Sequence, residues 1–460
     1  MNYLFNPIFI SKVLKSYFFD IDRLWKINEE QLRKYRDKRL RQIVRYAYTV
    51  PVYHDKYKEM GIHPADIHGL DDITKLPEIS KEEIKHYYPN GIIPSGVDKK
   101  NLIEVSTSGT TGKSFPIFVD MYDIVRGLFG YIRTIKEYGI NWRKTKMTII
   151  GDFAPHTAES GYITQGLSPH LKLDRLMNNI QWLDTNDDPK KIIREINDFK
   201  PEFIGGYVGM LGHLALLQEK GLGKNIRPRY IATTGAVLDK SLKHFIEEQF
   251  ETQIFEVYGA TETGPIAFEC KQGHYHIMSD FLHLEFLKDG KPVSSSEPGL
   301  VLVTKLFGNG TPIIRYNAIN DIAAPLYEPC SCEISSGLIK KIYGRNVLSL
   351  ILPGGRVLLA SGITEIFGRI LYELKTNKLK DTRIIQHDMT HIEVQVVIDE
   401  QLRDQEPSVD KLFSLLKQGF QEKAGRGVEI SLKEIKKVGK NEARIVSKVD
   451  RSKVEITQYI

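Results

Sequence analysis

The chain has 460 residues, 41% hydrophobic and 27% charged, with 36 glycines and 20 prolines. That composition excludes collagen-like, low-complexity and largely disordered chains and leaves room for roughly two to four domains, each burying its own core. Lys and Arg number 64 against 58 for Asp and Glu, a net charge of +6, too dilute and too scattered to argue for nucleic acid.

Residues 3–19 are apolar, but Lys12 and Lys15 interrupt them and no small-residue cleavage site follows. Neither a signal peptide nor a transmembrane segment is expected. Such a face packs against the protein's own body, or serves as a shallow amphipathic docking helix. Residues 29–50 have apolar positions at helical spacing and stop at Pro51, so a charged helix is predicted there. A polar connector follows to about Asn101. From there β-rich runs at 102–105, 147–151, 203–206, 230–233 and 254–257 alternate with helical stretches such as 190–199 and 238–250. Alternation of this kind predicts an α/β fold with mostly parallel sheets flanked by helices.

After His274 the strands at 276–286, 299–307 and 311–316 lose their intervening helices, which predicts a β subdomain. A break falls at 342–345. Beyond it, strand-like 392–398, helix-like 408–423 and strand-like 428–435 predict a small α+β C-terminal domain. The domains are therefore drawn at 1–344 and 345–460.

The most informative segment is Ser106-Thr107-Ser108-Gly109-Thr110-Thr111-Gly112-Lys113-Ser114, directly after a predicted strand. Glycines, hydroxyls and one cation together can set backbone N–H groups, O–H groups and an ammonium around phosphate oxygens. It is not a Walker A loop, because the glycine required five residues before Gly112 is Thr107. Three further polar segments follow in order: Thr233-Thr234-Gly235-Ala236, Tyr258-Gly259-Ala260-Thr261-Glu262, and Arg315-Tyr316 through Asp321, with Gly344-Arg345 beyond. Strand ends of an open parallel sheet converge on one crevice, so these segments are expected to form one site.

The ordered set resembles the adenylate-forming acid ligases, specifically the phenylacetate–CoA ligase and CapK-like branch. The resemblance spans nearly the whole chain, starting from Tyr46-Ala47-Tyr48 and Pro51-Val52-Tyr53. It implies ATP-dependent activation of a carboxylic acid to an acyl-adenylate, then acyl transfer to CoA or another nucleophile. An amide-forming ligase that uses an amine acceptor, and a nucleotide- or acyl-adenylate-binding protein that has lost catalysis, are the alternatives. The family pattern assigns residues 106–113 to the ATP phosphates, Glu262 to Mg2+ with Thr261 beside the reacting oxygens, and Asp321 to the ribose hydroxyls. By the same pattern Tyr258, Gly259, Gly235 and Ala236 pack on adenine, and Arg345 lies near ribose or phosphate.

The chain departs from the pattern at three places. Asn320 stands where the family has Gly before the ribose-binding Asp, and Ala236 where an acid is common. The hinge after Gly-Arg reads Asn346-Val347-Leu348-Ser349, without its usual Asp. The family's C-terminal catalytic Lys matches Lys440 if two residues are inserted; anchoring on Arg444 instead places Glu442 there.

Cys270, Cys330 and Cys332 are all the cysteines of the chain, with His274 and His276 close behind the first. A disulfide framework is implausible and a reducing cytoplasm fits. Three thiolates and one imidazole make a complete tetrahedral zinc set, the competing reading being buried free thiols. The resemblance selects His276 through its Gly-x-His-Ile context. With no open position, such a zinc is structural.

Overall fold

The computed structural model describes residues 6–107, 115–155, 157, 159–167, 178–439 and 442–460. Strands β1 (Ile103–Thr107) and β2 (Phe115–Val119) form an antiparallel hairpin, Ile103 opposite Val119 and Thr107 opposite Phe115. This pair stands apart from the main sheet. The strand that leads into the hydroxyl-rich segment is therefore not one of the parallel set.

The main sheet is a single twelve-stranded layer. One side is parallel: β3 (Met147–Gly151), β4 (Ile180–Asp184), β5 (Phe203–Tyr207), β6 (Tyr230–Thr234) and β7 (Gln253–Ala260), in the order β7-β6-β5-β3-β4. Helices cover it because each carries an apolar stripe and clear end signals. Pro189–Phe199 is the plainest case. Asp188 caps it by accepting from Lys190 N, Pro189 occupies the first turn, and Lys200 ends it at φ 53°. Its Ile192, Ile193 and Ile196 are buried, each stabilising the fold by about 2 kcal/mol.

Beyond β7 the sheet continues antiparallel through β8 (Gly264–Glu269), β9 (Tyr275–Ile277), β10 (Leu282–Lys288), β11 (Lys291–Pro292), β12 (Gly299–Lys305), β13 (Asp321–Leu326) and β14 (Leu338–Arg345), ordered β8-β9-β14-β13-β12-β10-β11. The fold is thus mixed α/β, and the β subdomain is a continuation of the parallel sheet. Residues 311–316 are not a strand. Their backbone bonds are split between Phe118 O, Ile313 O to Lys305 N, and single bridges from Tyr316 to Ile79 and Val303, while Arg315 sits at φ 45°.

The helix predicted for 29–50 is Glu29–Ala47, with Asn28 and Gln31 forming a capping box. Pro51 does not merely end a helix; it opens another, Pro51–Glu59, because its fixed φ and missing N–H suit the first position. The connector to Asn101 is part of the core. Tyr53, Tyr57, Ile73, Ile79, Ile84 and Ile92 are buried in one cluster with Val301, Val303 and Ile314.

In the C-terminal region, β15 (Leu350–Leu352) and β16 (Arg356–Leu358) pair. Strands β17 (Leu379–Asp388), β18 (His391–Ile398), β19 (Glu429–Glu434) and β20 (Ile445–Ser447) form a sheet ordered β19-β18-β17-β20, and β21 (Gln458–Tyr459) joins β16 in parallel. Helix Ala360–Leu374 packs on this sheet through Ile363, Ile366 and Ile370. It also meets the large region, where Leu371 and Tyr372 lie against the core around Phe245. Gly368 is required there, since a Cβ would lie 2.0 Å from the Asp239 carboxylate. No described helix is long and apolar enough to cross a membrane.

Candidate functional site

The site is built where β7 ends beside β13 and β14. Tyr258 donates its hydroxyl to Asp321 Oδ2 at 2.7 Å. A bulge between Tyr258 and Gly259 in the β7–β8 ladder aims this side chain. Gly259 permits the tight approach, because a Cβ there would meet Gly264 O at 3.0 Å. Asp321 opens β13 opposite Arg345, the last residue of β14. Burial pushes the Asp321 carboxyl up to about 6, opposed by the Tyr258 hydrogen bond and the Arg345 charge.

Asn320 explains its own departure from the family pattern. It lies at φ 57°, in the left-handed region that Gly enters freely and Asn tolerates better than most residues. Its side chain then does something glycine cannot, Oδ1 accepting from Val347 N at 3.0 Å, beside the backbone bond in which the Asn320 carbonyl accepts from Asn346 N at 2.6 Å. The segment in place of the usual hinge is thereby fastened to the residue before Asp321. From the C-terminal side, Arg451 donates to Asn346 O and Ser349 Oγ, each at 2.9 Å.

Glu262 is buried just past β7, next to half-buried Thr261. Tyr316 donates to Glu262 Oε1 at 3.2 Å. Burial raises the Glu262 carboxyl, while Tyr316 and the charges of Arg345 and Lys81 oppose the rise. Sequence reasoning placed Tyr316 in a motif but gave it no role. The residues that hold it in place come from far away in the chain. Tyr53 donates to Pro312 O at 2.8 Å and Tyr46 to Gly310 O at 2.7 Å. Arg315 forks onto Glu285 at 2.9 and 3.0 Å and donates to Leu76 O at 2.6 Å. The early Tyr-Ala-Tyr and Pro-Val-Tyr segments thus brace the strand-like run that delivers Tyr316, and Arg315 is structural.

Gly235 and Ala236 are exposed just past β6. Gly235 has φ 85°, and a Cβ would lie 2.3 Å from the Tyr207 ring, so only glycine fits. Tyr207, the last residue of β5, donates its hydroxyl to Glu159 Oε1. A π-helical turn, Ser160–Leu167, follows Glu159. Tyr162 in that turn donates to Thr261 O at 3.3 Å, and a Cβ at Gly161 would lie 2.5 Å from Val105 on β1. Sequence reasoning missed Glu159 and Tyr162, whose only local signal is an acid and an aromatic amid small residues. Val208 and Met210, which follow Tyr207, are buried in the helical core with Leu211 and Leu214.

Of the phosphate-loop residues, Ser106 and the backbone of Thr107 are on β1, while Ser108, Gly109, Thr110, Thr111, Gly112 and Lys113 lie outside the described residues, as does Lys440. Glu442 is described. It accepts from Gly439 N at 2.8 Å and pairs with Arg383 at 3.1 Å, so it staples its own turn.

Cys270, His276, Cys330 and Cys332 offer ligand atoms all within 4.8 Å of one another. Cys270 Sγ and Cys330 Sγ are 3.9 Å apart, and Cys332 Sγ is 3.1 Å from His276 Nε2. A tetrahedron of ~2.3 Å zinc–sulfur bonds has edges of about 3.8 Å, so the donor set fits. His276 Nδ1 lies 2.9 Å from Ser336 Oγ, a partner that leaves Nε2 facing the thiols. Burial pushes His276 down to about 4, which keeps the imidazole neutral as a ligand must be. His274 reaches the same cluster, its Nδ1 3.2 Å from Cys330 Sγ.

No family model matches the chain. It is 25% identical to the phenylacetate-coenzyme A ligase of Thermus thermophilus over 71% of this chain and 73% of that one. It is 23% identical to Protein CapK of Staphylococcus aureus over 84% and 82% of the two chains. Among solved structures, 2-hydroxyisobutyryl-CoA ligase in the postadenylation state superposes with a TM-score of 0.72 at 16% identity, covering 93% of this chain and 91% of that one.

Proposed function

Because the chain belongs to the phenylacetate–CoA ligase-like branch of the adenylate-forming enzymes, we infer that it activates a carboxylic acid with ATP and passes the acyl group to CoA. In the first step a carboxylate oxygen attacks the α-phosphorus and pyrophosphate leaves. In the second the CoA sulfur, losing its proton, attacks the acyl carbon and AMP leaves. The observation that carries this reading is the convergence of Asp321, Tyr258, Glu262 and Tyr316 in one buried polar cluster between strand ends.

Asp321 accepts the ribose hydroxyls, with Tyr258 and the exposed backbone of Gly235 and Ala236 against adenine and Arg345 toward ribose or phosphate. Ser106 to Lys113 receive the β- and γ-phosphates. Thr261 lies beside the reacting oxygens. Glu262 is the hard oxygen ligand for Mg2+, which when bound neutralises phosphate charge. Lys440 supplies the cation near the reacting carboxylate. The four-residue Cys and His set holds a structural zinc.

The test is pyrophosphate exchange with a panel of carboxylic acids, followed by CoA-dependent thioester formation. Lys440→Ala is expected to cost adenylation at least ~100-fold while ATP still binds. ATP binding with no exchange for any acid, unchanged by that substitution, would overturn the enzyme reading.

The Asp321 carboxyl predicts a pH dependence. Its pKa in the folded protein is raised to about 6 by burial, so it becomes neutral as pH falls through 6 and loses its strength as an acceptor. AMP affinity measured by calorimetry is therefore expected to fall by up to about tenfold per pH unit below 6. Asp321→Asn should bind AMP weakly throughout and flatten that limb.

A further inference from the structure

Glu159 is a half-buried carboxylate with no place in the roles above. Tyr207 donates to one of its oxygens, and no cation is paired with it among the described residues. Among the described residues the charge that acts on it is that of Asp152. Its position is set by three of the segments that make the nucleotide site. Tyr207 lies on Gly235; Tyr162, three residues on, bonds to the Thr261 carbonyl; and Gly161 packs on Val105 of the strand that leads to residues 106–113. Glu159 is therefore one helical turn from the side chain that binds the Thr261 carbonyl, and the ligase reading puts Thr261 beside the reacting oxygens. The tyrosine rings of 131, 162 and 207 share its surroundings, and the Glu159 charge reaches all three.

A carboxylate in such a position costs desolvation free energy unless it is matched. Tyr207 spends its only proton on Oε1, so what completes the site must be a donor. A protonated amine meets both demands, pairing with the carboxylate and lying against electron-rich ring faces.

Resting on the ligase reading above, we propose that the acid activated by this protein carries a protonated amino group at the end remote from its carboxylate, and that Glu159, positioned by Tyr207 beside Tyr162, binds that ammonium. Glu159 is then the specificity-determining residue of the acyl site. Val208 and Met210 are core residues and take no part.

The experiment uses isosteric pairs of acids: 5-aminopentanoate against hexanoate, and 4-(aminomethyl)benzoate against 4-ethylbenzoate. Each is measured by pyrophosphate exchange and by calorimetric binding to AMP-saturated protein, in the wild type, Glu159→Gln and Glu159→Leu. The amino acid of at least one pair should be preferred by tenfold or more in the wild type. The preference should shrink in Glu159→Gln, which keeps the Tyr207 bond, and reverse in Glu159→Leu. A preference for the alkyl member that Glu159→Leu leaves within twofold would overturn the proposal, with the ligase reading intact. Preference for a matched ω-hydroxy acid over the amine would overturn the ammonium assignment. If no acid supports exchange yet an amino acid binds the wild type at least tenfold more tightly than Glu159→Leu, the ligase reading fails, and with it the substrate assignment, while Glu159 stands as the residue that binds the ammonium. Absence of preferential binding in both readouts sinks it.

Discussion

Glu262→Gln is expected to reduce pyrophosphate exchange by a hundredfold or more without lowering the melting temperature. The two halves of that result come from one feature, the burial of the carboxylate. Burial raises the Glu262 pKa in the folded protein, so the folded chain holds this proton more tightly than the unfolded chain does. The sign follows: any stability due to this group is present at low pH and is lost as pH rises through the folded value, so once ionised the side chain is a cost to folding. Glutamine has the same shape, keeps an oxygen for the Tyr316 hydroxyl at 3.2 Å, and removes the charge. Folding is relieved of a buried anion, while the cation proposed to balance phosphate charge would lose its carboxylate ligand. Exchange within tenfold of the wild type would show that Glu262 is not that ligand. A marked fall in melting temperature would show instead that it is structural.

Removal of zinc, or Cys332→Ser, is expected to cost stability first and nucleotide binding second. The proposed four-ligand set would tie the turn after β8 and the start of β9 to the loop between β13 and β14, and β9 and β14 already pair there at Leu338 with His276 and Ile339 with Tyr275. The loop also holds the N-terminal segment, since Ser335 N donates to Leu24 O at 2.8 Å and Cys270 shares a cluster with Leu24 and Phe268. Loss of the metal leaves three thiols and an imidazole facing one another with no ion to hold them. A loss of about 4 kcal/mol is reasonable for a cross-link supported by an existing ladder, below the values seen where zinc supplies the whole fold. That corresponds to a melting shift of roughly 5 °C for a chain of this size. Asp321 and Leu326 are the two ends of β13, so the ribose-side carboxylate is about 17 Å along the strand from the end nearest the metal loop. AMP affinity at 20 °C should therefore weaken less than tenfold. Elemental analysis well below one zinc per chain, in protein purified without chelator, would contradict the site itself.

The structure joins residues that stand far apart in the chain, and this divides what could be read early from what could not. The parallel strands 147–151, 203–207 and 230–234 and the helices between them carry their own signals, in apolar runs, an Asp-Pro helix start at 188–189 and an Asp cap at 239. Likewise the three cysteines and the Tyr258 to Glu262 motif are types of residue whose chemistry is legible wherever they sit. The sheet's continuity is another matter. Residues 311–316 look like a strand in composition, yet their bonds are shared among Lys305, Phe118, Ile79 and Val303, because packing from the N-terminal segment overrides propensity.

By itself, then, the amino-acid sequence determined the mixed α/β class, the order of the motifs and the composition of the Cys and His cluster, since these rest on local periodicity, capping and residue chemistry. Tertiary structure alone decided that Tyr316 holds Glu262 across 54 residues and that Tyr207 holds Glu159 across 48. It also decided that Asn320 takes a glycine's conformation while binding the segment after Arg345. Those contacts depend on strand register and on which side chains a bulge or a left-handed residue turns inward, and nothing in a residue's immediate neighbours encodes its partner across a sheet.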